Sequence, residues 1–417
     1  LVLRSGSREG SIVEIHISLF YGERSRNVIL KTLQSPSRPE SERLSVVHVI
    51  TDLDVGGVEV NLLRLIETTR GRITHAVISL RSGGALESQM RDLGVPVESL
   101  YVRPESPNPI ALWRCRVKLQ AFHPHLVHTW MYHANLVGGI AACMAGIPIQ
   151  VWGIHHTQPT SGMGLRTRLT VWAGALVASR LPQVIICGAH STRTLHARLG
   201  YPDEKMTVIL NGYDVATFSP DAKAGARLRE ELGIPTQAFV FGMVARVHPD
   251  KDPENFVAAV REVLGEDPNV RFLWCGEGAH IENRSLKVLL DDYGVAGKIH
   301  LIGARQDMPY VYNAMDVLVC SSRSEALPNT IGEAMACAKP CVATDVGDVA
   351  YLLGDTGRIV PARDPQALAR AMLELRRMSS AERWSLGRRS RQRIASQFDL
   401  AGFAREHIEL YRGLAAR

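Results

Sequence analysis

From Leu44 onward the sequence alternates between two textures. Short β-branched runs are each followed by a helical stretch: SVVHVIT by VEVNLLRLIETT, HAVISL by ALESQMRDLG, and HLVHTW by HANLVGGIAACMAG. IQVWGI and QVIICG continue the series. Strands joined through helices lie parallel, so this order predicts an α/β fold with helices on both faces of the sheet. The series stops at VILNGYDVATFSPD, whose Gly, Asn, Asp and Pro content marks a connector, and begins again with FVFGMVA, VRFLWCG, KIHLIG, DVLVCSS and PCVATD. Two doubly wound domains are therefore expected, over residues 45–212 and 236–385, with a linker at 213–235. The tail FDLAGFAREHIELYRGLAAR predicts an amphipathic helix within 386–417. Residues 1–44 show no clear periodicity and include the polar, proline-bearing QSPSRPESERL. They are expected to form a poorly ordered extension.

The 417 residues suit two domains of ordinary size. A formal net charge of +6 suits an anionic ligand, an anionic membrane surface or nucleic acid. No arginine-rich run interleaves with aromatic residues, so nucleic acid ranks last. The seven cysteines include no CxxC pair. Cys143, Cys187, Cys275 and Cys320 lie in apolar segments and read as small buried hydrophobes in a reducing cytoplasm. The longest apolar stretch, LVGGIAACMAGIPI, is shorter than the ~20 residues of a membrane span. No transmembrane helix and no secretory signal are expected.

Open parallel sheets bind ligands beyond the carboxyl ends of their strands, and two such sheets place the site between them. The residues just past the strands are therefore the candidates. FVFGMVA is followed by Arg246, then Lys251, then Asp252 and Pro253 as N-cap and first residue of a helix. Two cations beside a helix start suit a diphosphate, and would equally suit an ordinary surface loop. DVLVCSS is followed by SRSEALPNTIGEAMA, in which Pro328 predicts a helix from Asn329 through Cys337. Glu325 then precedes that helix and Glu333 lies on its early turns. The pair could bind hydroxyls on either side of a phosphate, or merely favour the helix dipole and water. Gly56 and Gly57 in DLDVGGVE allow close backbone approach or an ordinary tight turn; this is not a GxGxxG fingerprint. His128 and His133, with His155 and His156, cluster after two strands of the first domain. Without an HExxH-like pattern, hydrogen bonding to a sugar is preferred to metal binding.

In order and spacing these segments resemble the GT-B glycosyltransferases, specifically the large family-4 group of retaining, nucleotide-sugar-dependent enzymes. The resemblance runs from about Leu44 to the C-terminus. SEALPNTIGEAMA resembles the E-x7-E motif, VARVHPDKD the Arg…Lys phosphate loop, and DLDVGGVE the first-domain glycine loop. HLIGARQDMPYVYNAMDVLVCSS resembles the base-binding strand and its lead into the motif, and FAREHIELY the helix that crosses back to the first domain. The resemblance implies two Rossmann-like domains facing a central cleft, with 386–417 packing back on the first. Glu325 would address the donor sugar and Glu333 the ribose hydroxyls. Amides near Leu327, Asn329 and Thr330 would lie by the diphosphate, whose charge Arg246 and Lys251 would neutralise as it leaves. Gly303, Arg305 and Met308 would border the base, and Gly56 and Gly57 would approach the phosphates or acceptor. His156, or else His155, would meet the donor sugar, with His133 nearby.

The resemblance further implies retention of anomeric configuration, no cofactor and no metal. It implies a UDP- or GDP-sugar donor and a glycan or lipid-linked glycan acceptor in surface-polysaccharide or exopolysaccharide synthesis. The setting would be the cytoplasm, with peripheral contact on the inner membrane; Arg166, Arg168 and Arg180 flank LTVWAGALVA, which would serve as a membrane-facing or a packing helix. Two positions depart from the family pattern, where glycine is usual: Asp252 after the phosphate-loop lysine and Ala326 after the first motif glutamate. A nucleotide-sugar epimerase of the same fold and a non-catalytic sugar-nucleotide-binding subunit are the alternative readings.

Overall fold

The computed structural model describes residues 12–19, 26–33, 43–101, 109–157 and 164–416. The chain divides into two compact units, Leu1–Leu44 and Ser45–Arg417. In the first, strands Ile12–Leu19 (β1) and Arg26–Leu33 (β2) pair antiparallel in full register, Ile12 opposite Leu33. The sequence reading assigned this segment no regular element. Ile12, Val13, Ile15 and Ile17 supply the β-branched density that a strand favours.

The second unit contains both predicted sheets. The first comprises Leu44–Ile50 (β3), Ile73–Ser79 (β4), Val97–Ser99 (β5), Leu126–Trp130 (β6), Ile149–Ile154 (β7), Val184–Cys187 (β8) and Met206–Val208 (β9), in the order β5-β4-β3-β6-β7-β8-β9. The second comprises Val240–Val244 (β10), Arg271–Cys275 (β11), Ile299–Leu301 (β12), Val317–Cys320 (β13), Cys341–Thr344 (β14) and Arg358–Val360 (β15), in the order β12-β11-β10-β13-β14-β15, with every neighbouring pair parallel. The strand order reverses between β3 and β6 in one sheet and between β10 and β13 in the other. Crevices open beyond the carboxyl ends of strands at such points. The segments there are 51–57, 131–133, 245–252 and 321–329, which carry most of the candidates.

Strands such as β3, with Val46, Val47 and Val49 fully buried, are apolar on both faces because helices cover both. The connector at 213–235 holds a helix, Ala222–Glu231, whose Gly225 and Arg229 pack on Asn313–Ala314 of the second domain. Of the C-terminal helices, Ser380–Gln397 also stays on the second domain, where Arg391 donates to the Ala336 carbonyl. The return to the first domain is made by Leu400–Ala415, whose Tyr411 hydroxyl lies 2.7 Å from His128 Nδ1. At the two crossings Tyr213 and Asp399 form a parallel β-bridge: Tyr213 N–H donates to the Phe398 carbonyl and Leu400 N–H to the Tyr213 carbonyl.

Six cysteines are buried as expected, but Cys143 is exposed at the end of its helix, where the buried stripe has already turned away. Among the described residues no helix is long and apolar enough to cross a membrane.

Candidate active site

Two loops of the second domain are stitched together at the switch point. Arg323 N–H donates to the Asp250 carbonyl (2.7 Å), and Ser321 Oγ donates to the Lys251 carbonyl (2.8 Å). This brings Lys251 Nζ to 2.5 Å from Glu325 Oε1, which also accepts from Ser322 Oγ at 2.7 Å. Burial works to lower the Lys251 pKa, but the Glu325 carboxylate outweighs it, so the ammonium is held above its ordinary value. An ammonium carries three N–H donors, so pairing with Glu325 leaves others for a phosphate. Arg246, just after β10, flanks the same loop.

The two departures from the family pattern have local accounts. Asp252 has φ +50°, the left-handed region that a glycine would occupy freely. Its side chain caps the Pro253–Glu266 helix by accepting from Asn255 N–H, and it pairs with Arg323 at 2.6 Å. Those bonds offset the backbone strain. At Ala326 the close backbone approach is made instead by Gly347 (φ +57°), where a Cβ would lie 1.9 Å from the Glu325 carbonyl oxygen.

The motif helix runs Asn329–Ala336, beginning after Pro328 as expected. Leu327 is buried, and Thr330 is half-buried in the first turn. Asn329 Nδ2 donates to the Gly57 carbonyl (3.1 Å), so the glycine loop of the first domain meets the helix start of the second. Gly56 is the extended N-cap of the Gly57–Thr69 helix, and a Cβ there would lie 2.2 Å from Glu59 Oε2. Burial, with Asp52 and Asp54 nearby, pushes the Glu59 carboxyl up to about 7 against the pull of its own backbone N–H and Arg246.

Glu333, the ribose ligand of the sequence reading, lies largely buried in the second domain. Its side chain is 9% exposed, and both oxygens are bonded: Oε1 to Arg64 Nη2 and Oε2 to the Tyr312 hydroxyl, each at 2.6 Å. Each carboxylate oxygen retains accepting capacity for a hydroxyl.

The two adjacent histidines separate clearly. His156 lies in the field of Asp250, Glu325, Lys251 and Arg246; burial lowers its pKa, and the two carboxylates oppose that. Its neighbour Thr157 donates to the Glu325 carbonyl. His155 instead stacks on Trp130 (5.3 Å, 10° between planes), and burial pushes its pKa down to about 3. His133 is half-buried in the first turn of the Tyr132–Met144 helix. His128 is fully buried against Tyr411 and Trp130 and belongs to the core.

Of the base-bordering candidates, Gly303 has φ +66° and Met308 opens the Met308–Ala314 helix. Arg305 is committed to Asp307 (2.8 Å) and Glu231 (2.7 Å), which hold its pKa above the ordinary value.

Sequence reasoning missed the residues that join the domains. Asn211 receives Asn61 Nδ2 at 2.8 Å and donates to the Leu327 carbonyl at 2.8 Å. Asp348 accepts from the N–H groups of His190 and Ser191, the first residues of a first-domain helix, at 2.6 and 2.9 Å. Arg64 had a signal: a cation inside the apolar run Leu62–Ile66 needs a buried partner.

Two parallel α/β domains facing one cleft, with a cation–carboxylate pair at the switch point of the second, define a GT-B architecture. The chain belongs to the group 1, family 4 glycosyltransferases: the sequence profile of Glycosyltransferase Family 4 matches residues 55–217, and that of Glycosyl transferases group 1 matches residues 238–377. It is 28% identical over 224 residues, 53% of this chain and 58% of the relative, to an Escherichia coli UDP-Gal:alpha-D-GlcNAc-diphosphoundecaprenol alpha-1,3-galactosyltransferase. It is 33% identical over 181 residues, 41% of this chain and 43% of the relative, to a Corynebacterium efficiens D-inositol 3-phosphate glycosyltransferase. The chain thus spans about half the length of these relatives. In fold it is similar to Anabaena Alr3699/HepE in complex with UDP and glucose, with TM-score 0.79, 21% identity, and coverage of 89% of this chain and 100% of the other.

Proposed function

We propose that this chain is a retaining glycosyltransferase that moves a sugar from a nucleoside-diphosphate donor, UDP-sugar before GDP-sugar, to a glycan or lipid-linked glycan in surface-polysaccharide synthesis. The observation that carries the reading is the Lys251–Glu325 pair at the switch point, with His156 in its field. Lys251 and Arg246 meet the diphosphate and stabilise the charge that grows on it as the glycosidic bond breaks. Glu325 holds the donor sugar, and His156 contributes a hydrogen bond from the first domain. The acceptor hydroxyl attacks on the face the phosphate leaves, and the phosphate takes its proton. Glu333 receives the ribose hydroxyls on its remaining lone pairs. No metal is assigned a role.

UDP-sugar is preferred because the galactosyltransferase relative is named for a UDP donor and the Anabaena neighbour was solved with UDP. A lipid-linked acceptor at the cytoplasmic face of a membrane accords with the diphosphoundecaprenol in the galactosyltransferase's name. The test is thermal stabilisation of the purified chain by UDP, GDP and ADP side by side, with and without a chelator. A ligand of the native state raises the melting temperature by mass action. UDP is expected to give the largest shift, unchanged by chelator. No shift with any of the three would remove the reading.

A further inference from the structure

The His190–Arg198 helix of the first domain begins without a cap of its own. Its N-cap, Ala189, is extended and has no side-chain acceptor for the free N–H groups of the first turn. The acceptor comes from the other domain. Asp348, 158 positions from His190 and 6% exposed, takes the His190 N–H on Oδ2 at 2.6 Å and the Ser191 N–H on Oδ1 at 2.9 Å. A carboxylate bound this way also meets the positive end of the helix. Asp348 itself stands at the N-cap position of Val349–Leu353, yet its side chain makes no capping bond there. It caps a helix of the opposite domain and leaves its own without one. Elsewhere the chain caps helices locally, as Asp221, Asn283 and Asp364 do.

The backbone of Asp348 is tied to the loop that carries Glu325. Its N–H donates to the Ala326 carbonyl at 2.9 Å, and the preceding Gly347 lies against the Glu325 carbonyl with no room for a Cβ. Thr157 of the first domain donates to that same Glu325 carbonyl. Residues 325 and 326 are therefore held by the first domain twice, once directly and once through Asp348. Both holds cross between the domains, so separation of the domains removes both.

We propose that Asp348 is a positioning residue: by capping the His190–Arg198 helix when the domains meet, it fixes residues 325 and 326, and with them the Glu325 carboxylate beside Lys251. Hydrogen bonds weaken steeply with distance and angle, so this clasp forms only on full approach of the domains. Glu325 is thereby set for the donor sugar in the closed molecule and released in the open one. That last step rests on the transferase reading; the clasp itself does not.

The test is hydrogen exchange of the whole chain, read on peptides covering 188–193 and 322–328, with and without UDP. His190→Pro deletes one donor and leaves the second domain untouched. Proline is favoured at the first helical position, and the extended Ala189 before it suits a proline. Asp348→Ala deletes the acceptor. Each should speed exchange in 322–328 by about fivefold, the factor a helix cap typically supplies, and the two together should add little more. His190→Ala keeps the N–H and removes only the edge contact of the ring with Tyr351, so 322–328 should exchange at the wild-type rate. Asp348→Asn should stay close to wild type, because asparagine caps as well as aspartate. An effect of His190→Pro confined to 188–193, or an equal effect of His190→Ala on 322–328, overturns the proposal. So does exchange in 322–328 that Asp348→Ala leaves unchanged. Melting temperature reports the fold of each variant; should His190→Pro not fold, the contrast between Asp348→Ala and Asp348→Asn decides. Wild type whose exchange and melting ignore UDP, with the variant pattern intact, would keep the clasp and remove the transferase reading.

Discussion

Arg64 and Glu333, 269 positions apart, form a 2.6 Å ion pair across the cleft, each side chain 9% exposed. The carboxylate proposed to bind ribose is therefore also a bond between domains. Removing one partner of a buried pair leaves an uncompensated charge, at a cost of about 3 kcal/mol or more. Arg64→Met and Glu333→Gln should each lower the melting temperature, and the double variant should lose much less than their sum. A double-mutant cycle measures this; a coupling below about 0.5 kcal/mol would mean that the pair does not hold the domains.

Lys251→Ala should reduce kcat by about a hundredfold or more with donor and acceptor saturating, while KM for the donor changes far less. The comparison that decides is kcat against KM. A loss confined to KM would assign Lys251 to ground-state binding instead of the departing diphosphate.

Gly347→Ala would press a Cβ against the Glu325 carbonyl in a left-handed backbone, which should cost about 2 kcal/mol and move the loop that carries Glu325. Gly294→Ala is the control. It is also left-handed, at φ +66°, but has open space around it, so it should cost about 1 kcal/mol and spare the loop. Calorimetry gives the stabilities. Equal turnover in the two variants would show that the approach of Gly347 to Glu325 is incidental.

A cluster of buried histidines gives the first domain a pH dependence. His75 and His407 are pushed down to about 4 and His155 to about 3, chiefly by burial, while His48 and His128 are also lowered. Each is neutral when folded and takes up a proton more readily when unfolded, near pH 6.5. Stability is fully present above pH 6.5 and is lost as pH falls toward 4, by about 1.4 kcal/mol per pH unit for each group within its window. Melting curves from pH 8 to acid should show this decline, and His155→Phe should flatten it. A pH-independent melting temperature between neutrality and the onset of carboxylate titration would contradict the assignment.

The legible parts of the sequence are those where burial leaves a local trace. Long central strands such as Leu44–Ile50 and Ile149–Ile154 were legible, because burial on both faces demands mostly apolar, β-branched runs. The three-residue edge strands Val97–Ser99, Met206–Val208 and Arg358–Val360 were not, being too short to show a period. Glu325, Lys251 and Glu333 were legible from their positions after strands and from the motif. Glu333's partners were not, because Arg64 and Tyr312 reach it from distant segments and no local pattern records that. His155 and His156 are equivalent as letters; only the alternation at the end of β7 sends one toward Trp130 and the other toward Glu325.

The bridge between Tyr213 and Asp399 gives the molecule an axle. The polypeptide leaves one half and comes back to it at the same spot, and the two passages are tied to each other. Sliding one half along the other would break those bonds, whereas a turn about the bridge would spare them. Such a turn would have to break the bonds that close the cleft, Thr157 with Glu325 and Asn329 with Gly57 among them. A cut just after Asp399 would take away Leu400 and the Tyr411 anchor, and with them half of the bearing. The final helix, anchored on the first domain by Tyr411 at His128, thus holds one side of that bearing from outside the Lys251–Glu325 pair.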